Sequence, residues 1–492
     1  MSPINILASF SGSAVTFVRR FSENNVITKG MTMEQTRNKI FYKSFFFMLL
    51  SIAIQNVLVY SVNLADNIML GRFSEEAMSG VGLVNQIQFL LQMLITGTGE
   101  GIIVIAARHW GEGNTESIKR VTNVGMRFAL VFSGIMFLCA FLFPEAVVGI
   151  LTDKHEFIAE GAKYLRIIAF TYPIFAVTNI LLSTLRSVET TRIGLWISIV
   201  ALVTNVSLNY VLIFGKLGFD AMGAEGAAIA TLVSRIIELT IVAVYTFALD
   251  KKIRLKIHDF FTRTGDMTRR FVKTSVPVIL SGASWGIAMG MQTAILGRLD
   301  ATVVPANSVA TTVFSIVTVF IYGSSTAASV ALGKMIGEDR KSVKADLMDK
   351  DVSIRNIKKK SKTLQMIFLS LGLLTSVGLF VLKDYIIGFY DITEATKQLA
   401  DQFMSVLCIT VIGTSYQMPC LTGIVRAGGD TSFVLYNDLI FMWGIVLPSS
   451  FLAAFVFDLS PIIVFVCLKS DQILKCFVAM FKVNRYRWIK DI

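Results

Sequence analysis

Two stretches of this chain share one pattern, DNIMLGRFSEEAMSGVG at residues 66–82 and QTAILGRLDATVVPANS at residues 292–308. The second follows the first by 226 residues, and this offset holds without a gap for about seventy residues. A further match joins LRSVETT at 185–191 to VRAGGDT at 425–431, at an offset of 240. These matches indicate that the chain contains an internal duplication.

The composition is that of a membrane protein. Hydrophobic residues make up 54% of the 492 residues and charged residues only 16%, whereas soluble domains carry about 25% charged residues. Apolar runs recur along the chain, and each is long enough for the roughly 20 helical residues that cross a bilayer. We therefore predict an all-α integral membrane protein with twelve transmembrane helices, near residues 42–66, 79–105, 122–148, 163–186, 193–215, 223–248, 270–293, 306–333, 363–388, 399–424, 433–456 and 460–482.

The duplication predicts how these spans are arranged. Six spans separate the two copies, so both copies have the same orientation in the bilayer and form two pseudo-symmetric six-helix lobes, a parallel repeat typical of secondary transporters. The predicted regions are a cytoplasmic tail at 1–41, an N-lobe at 42–248, a cytoplasmic linker at 249–269, a C-lobe at 270–482 and a cytoplasmic tail at 483–492. Met31 and Met33 are alternative starts, so residues 1–30 are a candidate upstream extension.

The basic residues predict the orientation. The two tails and the even-numbered loops hold 34 Lys and Arg, and the odd-numbered loops hold seven. This asymmetry follows the positive-inside rule, so both termini are expected in the cytoplasm of a cell (inner or plasma) membrane. The net charge of +12 is thereby explained without a nucleic-acid partner. The spans offer no convergent nucleophile and base, metal-ligand set or phosphate loop, so we predict no enzyme, catalytic residue, metal site or cofactor.

Polar side chains form a stripe along the second span. Hydrocarbon cannot satisfy an amide group, so the stripe should face protein or water. We predict that it lines a substrate path, and the alternative is hydrogen bonding between helices. Glu100, close to the stripe, either binds cations or pairs with a neighbour. The residues assigned to the path in the second span and in its repeat, the eighth, are Asn85, Gln88, Gln92, Glu100, Thr318 and Tyr322.

The first span carries Asn63 and Asp66, and the fifth carries Asn205 and Asn209 one helical turn apart. A carboxylate in a span is costly and by default indicates ion or substrate handling. Among amides, in surroundings of low dielectric constant, Asp66 could exchange a proton near neutral pH or ligate Na⁺. Alternatively, Asp66 caps the outer end of its span and the asparagines only bond between helices.

Other charges within the spans have structural interpretations. Arg235 and Glu238 stand three residues apart in the sixth span and predict an ion pair. The remaining four, interpreted as packing or interfacial charges with a gating role as the alternative, are Asp438, Lys469, Asp471 and Lys475.

Four segments resemble multidrug and toxic compound extrusion (MATE) transporters, with a likeness that covers about residues 42–490: DNIMLGRFS, LRSVETTRIG, NYVLIFGKLGFDAMGAEGAAIAT and VRAGGDTSF. The resemblance implies two six-helix bundles around a central cleft and antiport of cationic or amphipathic compounds against H⁺ or Na⁺, with no cofactor. It also implies that Asp66 carries the coupling ion and that Asn205 and Asn209 match the polar pair of the fifth span. Ser51 occupies the place of the family's bend-forming proline, and its repeat mate is Pro277, the predicted hinge.

We therefore predict a cation-coupled antiporter, driven by an H⁺ or Na⁺ gradient, that exports small organic cations as a monomer in the lipid bilayer. The alternatives are a flippase for lipid-linked precursors and an exporter of one specific metabolite or peptide. A flippase for anionic headgroups should have a basic cluster in its cleft, and spans one, two, seven and eight carry no central basic residue.

Overall fold

The computed structural model describes residues 33–152, 154–300, 302–388 and 392–490, and these ranges contain helices, turns and loops but no strand. The chain divides into two compact units, residues up to Ser44 and residues Phe45–Ile492. Residues 33–44 of the first unit are helical. All contacts described below lie within the second unit.

Eight helices make up the N-lobe: α1 Met33–Phe73, α2 Glu75–Glu112, α3 Thr115–Leu142, α4 Pro144–Gly149, α5 His155–Ile168, α6 Thr171–Ser187, α7 Arg192–Phe214 and α8 Gly223–Val244. The C-lobe comprises α9 Asp266–Leu296, α10 Val303–Lys344, α11 Lys350–Gly388, α12 Glu394–Met418, α13 Thr431–Leu439, α14 Leu447–Phe451, α15 Pro461–Lys469 and α16 Asp471–Asn484. A 3₁₀ turn, Ile257–Phe261, lies between the lobes in the chain, and π-helical turns extend α8, α12, α13 and α14: Tyr245–Leu249, Pro419–Val425, Ile440–Val446 and Leu452–Val456.

The protein is an all-helical membrane protein, as the composition predicts. Ten helices in the described ranges are long and apolar enough to span a bilayer, and the number is eleven if the pair α5 and α6, bent by 50°, is counted as one span. The broken pair α15 and α16 stands where the twelfth span is predicted. The bend between α5 and α6 lies within the span predicted at 163–186. Pro173 in the first turn of α6 explains it, because proline has no N–H to bond the carbonyl of Ala169 and its ring crowds that carbonyl.

The first helix continues beyond the predicted end of its span. It runs to Phe73, and Ser74 begins the next helix by accepting a hydrogen bond from the Ala77 amide at 2.9 Å. Asp66 therefore lies inside α1, two turns before its end. The interpretation of Asp66 as the residue that caps this span does not fit the helix.

The two lobes meet where α2 packs against α9 and α10. A Cβ atom on Gly111 would collide with the backbone oxygen of Lys334, and one on Gly337 would collide with that of Arg108. Both pairs of positions are separated by the repeat offset of 226. The contact is therefore pseudo-symmetric, and small residues on both helices allow the close approach.

Candidate ion and substrate sites

The N-lobe contains a buried polar network around Asp66. The Asn209 side-chain amide donates to the Asp66 carboxylate and to Asn205 Oδ1 at 3.1 Å. Asn205 in turn donates to Thr231 Oγ1 on α8 at 3.2 Å. Asn205 and Asn209 are 1% and 0% exposed, and their spacing of four residues places both on one face of α7. The structure thus brings three predicted residues together and adds Thr231.

One oxygen in this network has no partner. Asn209 Oδ1 is buried and accepts no hydrogen bond from the described residues. An unsatisfied buried acceptor costs about 1–3 kcal/mol. Hard cations bind carboxylate and amide oxygens, so Asp66 and Asn209 can hold a monovalent cation, or Asp66 can hold a proton.

Charged and phenolic groups lie around the network. Arg235 pairs with Glu238 at 2.8 Å, which confirms the predicted ion pair, and its guanidinium lies 5.3 Å from the Phe175 ring centre. Arg235 lies within electrostatic range of Asp66 as well. Tyr164 of α5 is buried, and Asp66 and Gln88, the latter predicted for the substrate path, both act on its phenol group electrostatically.

Three other predicted residues stay outside this network. Asn63 and Gln92 are exposed and Asn85 is half-buried. None of their side chains makes a hydrogen bond within the described part of the chain. Asn63 precedes Asp66 by three residues, but the structure does not connect the two side chains.

Glu100 lies at the boundary between the lobes. Its carboxylate accepts a hydrogen bond from Arg426 at 2.5 Å. Of the two interpretations of Glu100, cation binding and pairing with a neighbour, the structure shows the pairing. Arg186 lies within electrostatic range of Glu100 and donates to Gln55 at 2.9 Å. Tyr322 is also near Glu100. Arg186 and Arg426 are repeat mates. Both lie in the matching segments LRSVETT and VRAGGDT, and this match is the sequence signal from which they could have been predicted as functional residues.

Three further contacts join the lobes, and we call this set the inter-lobe clasp. Arg108 donates to the backbone oxygen of Ala427 at 2.9 and 2.7 Å. Lys334 pairs with Glu189 at 2.6 Å, and Arg340 pairs with Glu112 at 3.2 Å. Each contact connects a helix of one lobe to the other lobe.

The C-lobe holds a different charge cluster. Asp438 accepts hydrogen bonds from Ser281 at 2.5 Å and from Lys475 at 3.0 Å. Lys475 also pairs with Asp471 at 3.3 Å. Asp471 and Lys475 are 2% and 5% exposed. These two residues are therefore packed inside the lobe and are not interfacial.

The structure places the two remaining predicted residues, Thr318 and Pro277, within their own helices. Thr318 is buried, and its hydroxyl donates to the backbone oxygen of Phe314 at 2.7 Å, within its own helix. Pro277 lies inside α9, which continues through it. A proline there removes one backbone hydrogen bond.

Comparisons with known proteins also indicate a membrane transporter. The family model described as MatE matches residues 51–211 and 352–452. The chain is 26% identical over 428 residues to "Probable multidrug resistance protein NorM" of Photorhabdus laumondii, covering 84% of this chain and 87% of that protein. The crystal structure of a MATE protein in complex with MaL6 superposes with a TM-score of 0.81 at 17% identity, covering 92% and 97% of the two chains. A MATE transporter of the MOP superfamily in an outward-facing conformation gives a TM-score of 0.79 at 17% identity, covering 90% and 96%.

Proposed function

This chain belongs to the MatE family of membrane transporters, and from that premise we propose that it is a cation-coupled antiporter exporting cationic or amphipathic compounds. In this proposal Asp66 carries the coupling ion. Asn205 and Asn209 hold its carboxylate in place, and Asn63 serves the entry of the ion. The small-molecule substrate moves along Asn85, Gln88, Gln92 and Tyr322, and Thr318 contributes to the wall of that path.

The half-buried carboxylate of Asp66, bonded to the buried Asn209, is the observation that carries the proposal. Asp66 lies inside a span, where a carboxylate is expensive and is retained for ion handling. Its bonded partner Asn209 offers an unsatisfied oxygen on the same network. A cation bound there would satisfy that oxygen and neutralise Asp66 at once. A proton would neutralise Asp66 alone, so both H⁺ and Na⁺ are candidate coupling ions.

Transport requires the lobes to alternate between two arrangements. We propose that the inter-lobe clasp and the Glu100–Arg426 pair close one end of the path, and that ion exchange at Asp66 is coupled to their opening. Pro277 would provide the flexible point in α9. Because two lobes and a central path suffice, a monomer is the proposed working unit.

We place the clasp end of the molecule, together with both chain termini, in the cytoplasm of a cell membrane. The excess of Lys and Arg in the even-numbered loops supports this orientation. Cysteine introduced at Lys350 should react with an impermeant maleimide only in inside-out vesicles. Labelling of intact cells would reverse the orientation.

The test of function uses purified protein in liposomes. Efflux of ethidium is followed under an imposed pH gradient and then under an imposed Na⁺ gradient. Asp66→Asn should reduce efflux to the rate of protein-free liposomes, because the amide cannot release a proton or balance a cation. The matched control is Asp220→Asn, since Asp220 is an exposed carboxylate in a loop, and it should transport normally.

The gradient that drives efflux identifies the coupling ion. Efflux by Asp66→Asn at the wild-type rate would remove Asp66 from the mechanism. Absence of ethidium movement in the wild type, with binding of the dye also absent, would overturn export of organic cations.

A further inference from the structure

Lys469 is a buried cation at the end of α15. It is 8% exposed, and no carboxylate of the described residues lies within 4.0 Å of its ammonium group. Asp471 is the acidic residue that acts on it electrostatically, but Asp471 already bonds Lys475 at 3.3 Å and Gln472 at 3.1 Å. A buried charge without a paired partner is costly, so this ammonium group is available for a negative ligand.

Aromatic rings hold the lysine in place. The ammonium lies 5.7 Å from the centre of the Phe314 ring and 5.5 Å from that of Phe465. Phe465 stacks on Phe403, with ring centres 4.1 Å apart. Cation–π contacts favour the charged form of the lysine but leave its hydrogen bonds unmade.

Lys469 lines a small cavity of about 20 Å³, and we call it the Lys469 cavity. Such a volume holds about one water molecule, or one comparably small ionic group. Gln292, Asn307, Thr293 and Thr311 are its polar lining residues besides the lysine, and no acidic residue lines it. Thr311 and Thr293 donate to backbone oxygens of their own helices at 2.8 and 3.1 Å. Gln292 donates one amide hydrogen to Met442 Sδ at 3.4 Å, so the lysine, the Asn307 amide and the second amide hydrogen of Gln292 are the donors left for a ligand.

The repeat shows that the two lobes differ in charge at this place. Gln292 stands 226 residues after Asp66, so an uncharged amide replaces the carboxylate of the N-lobe network. Lys469 comes from a different helix and lines the same cavity as Gln292. The C-lobe therefore lacks the carboxylate of the N-lobe and has a cation nearby.

We propose that the Lys469 cavity binds a single negatively charged group, either the carboxylate of an exported compound or a small inorganic anion such as chloride. In the first case the inference rests on the proposed function and refines it, because the exported compounds would then include zwitterions. In the second case the anion is a bound ligand of the C-lobe. The lysine supplies the charge and Gln292 and Asn307 supply directional hydrogen bonds.

The first arm of the test measures equilibrium binding of two dyes to the detergent-purified full chain by fluorescence polarisation. Rhodamine 110 carries a free carboxyl group, and rhodamine 123 is its methyl ester. Lys469→Met should weaken binding of rhodamine 110 by at least about tenfold, since a buried charge pair loses one partner, and leave rhodamine 123 unchanged. Lys469→Arg keeps the charge and should retain binding of both dyes.

The second arm measures thermal unfolding in chloride and in gluconate, an anion too large for the cavity. Chloride should raise the melting temperature of the wild type and of Lys469→Arg, but not that of Lys469→Met. Asn307→Leu fills the cavity while keeping the lysine, and it serves if Lys469→Met does not fold. It should abolish the effect in whichever arm is positive.

A positive dye arm assigns the site to substrate carboxylates, and a positive chloride arm alone assigns it to an inorganic anion. The inference is overturned if neither arm depends on Lys469 or Asn307. Both arms are run without an ion gradient and are repeated with the control Asp220→Asn, which should bind like the wild type because Asp220 is an exposed loop residue. Failure of ion-driven efflux with these results intact would therefore count against the antiport mechanism and not against the anion site.

Discussion

The N-lobe network and the Lys469 cavity occupy equivalent places in the duplicated fold, yet their chemistry is opposite. Asp66 lies among amides, with a free amide oxygen beside it. Its repeat mate Gln292 donates instead to the sulfur of Met442 at 3.4 Å and borders a buried lysine. Both lobes retain the helix arrangement, since packing determines it, whereas a single substitution changes the charge of a site. Duplication therefore provided one scaffold and two different binding environments.

The contacts between the lobes have stayed more symmetric than the sites within them. Gly111 and Gly337 are repeat mates at the same helix crossing, and Arg108 and Lys334 both remain basic. Arg186 and Arg426 both lie near Glu100, although the repeat mate of Glu100 is Thr326. A close helix crossing requires small residues on both helices, so substitution there is costly on either side.

The largest effect is expected from exchanging the two equivalent residues. Asp66→Gln should abolish ion-driven efflux, because it places the C-lobe amide in the N-lobe network. Adding Gln292→Asp should not restore efflux, since that position borders Met442 and Lys469 and has no asparagine pair. Efflux of ethidium from liposomes measures both. Recovery in the double variant would show that the lobes are interchangeable.

The inter-lobe charge at Glu100 should have an intermediate effect. Glu100→Gln removes the carboxylate between Arg426 and Arg186 and should lower the free energy of unfolding by about 1–2 kcal/mol. Removing one partner of a fully buried pair costs about 3–5 kcal/mol, but the Glu100 side chain is 40% exposed, which reduces the effect. Thermal unfolding in detergent measures it. Thr326→Ser is the control in the other lobe. An equal loss of unfolding free energy in both variants would contradict the expectation that only Glu100 contributes a charge between the lobes.

The smallest effect is expected at Asp430, a buried residue outside the spans whose repeat mate is Thr190. Burial raises the pKa of Asp430, but hydrogen bonds from Lys482 at 2.7 Å and Lys490 at 2.8 Å lower it, and its pKa lies below the ordinary value. A carboxylate with a lowered folded-state pKa stabilises the fold above its unfolded-state pKa of about 3.9, and this contribution disappears as the pH falls through the folded-state value.

Asp430→Asn should therefore lower the free energy of unfolding at pH 7 by about 1 kcal/mol. The difference from the wild type should shrink as the pH falls below about 4. Chemical unfolding over a series of pH values measures it, with Thr190→Ser as the control. A difference that persists unchanged in acid would mean that the ion pairs do not stabilise the fold.

Much of the N-lobe network could be recognised in the sequence, but little of the inter-lobe contacts or of the C-lobe charge cluster could. Asp66, Asn205 and Asn209 stood out because polar groups in an apolar run are expensive. Thr231 did not, since a threonine in a span usually bonds its own helix. Arg186 and Arg426 lie near predicted span ends, where a basic residue ordinarily indicates the interface. Asp471 and Lys475 were interpreted as packing or interfacial charges, and the structure buries them as an ion pair, which fits packing.

The sequence by itself determined the membrane class, the duplication and the angular position of each polar residue on its own helix. Those properties follow from composition, from the repeat offset and from the period of the α-helix. Only the tertiary structure decided that Asn209 faces Asp66, that Glu100 meets Arg426 and that Lys469 pairs with no carboxylate of the described residues. Such pairings depend on the relative rotation and depth of helices far apart in the chain, and packing between helices decides both.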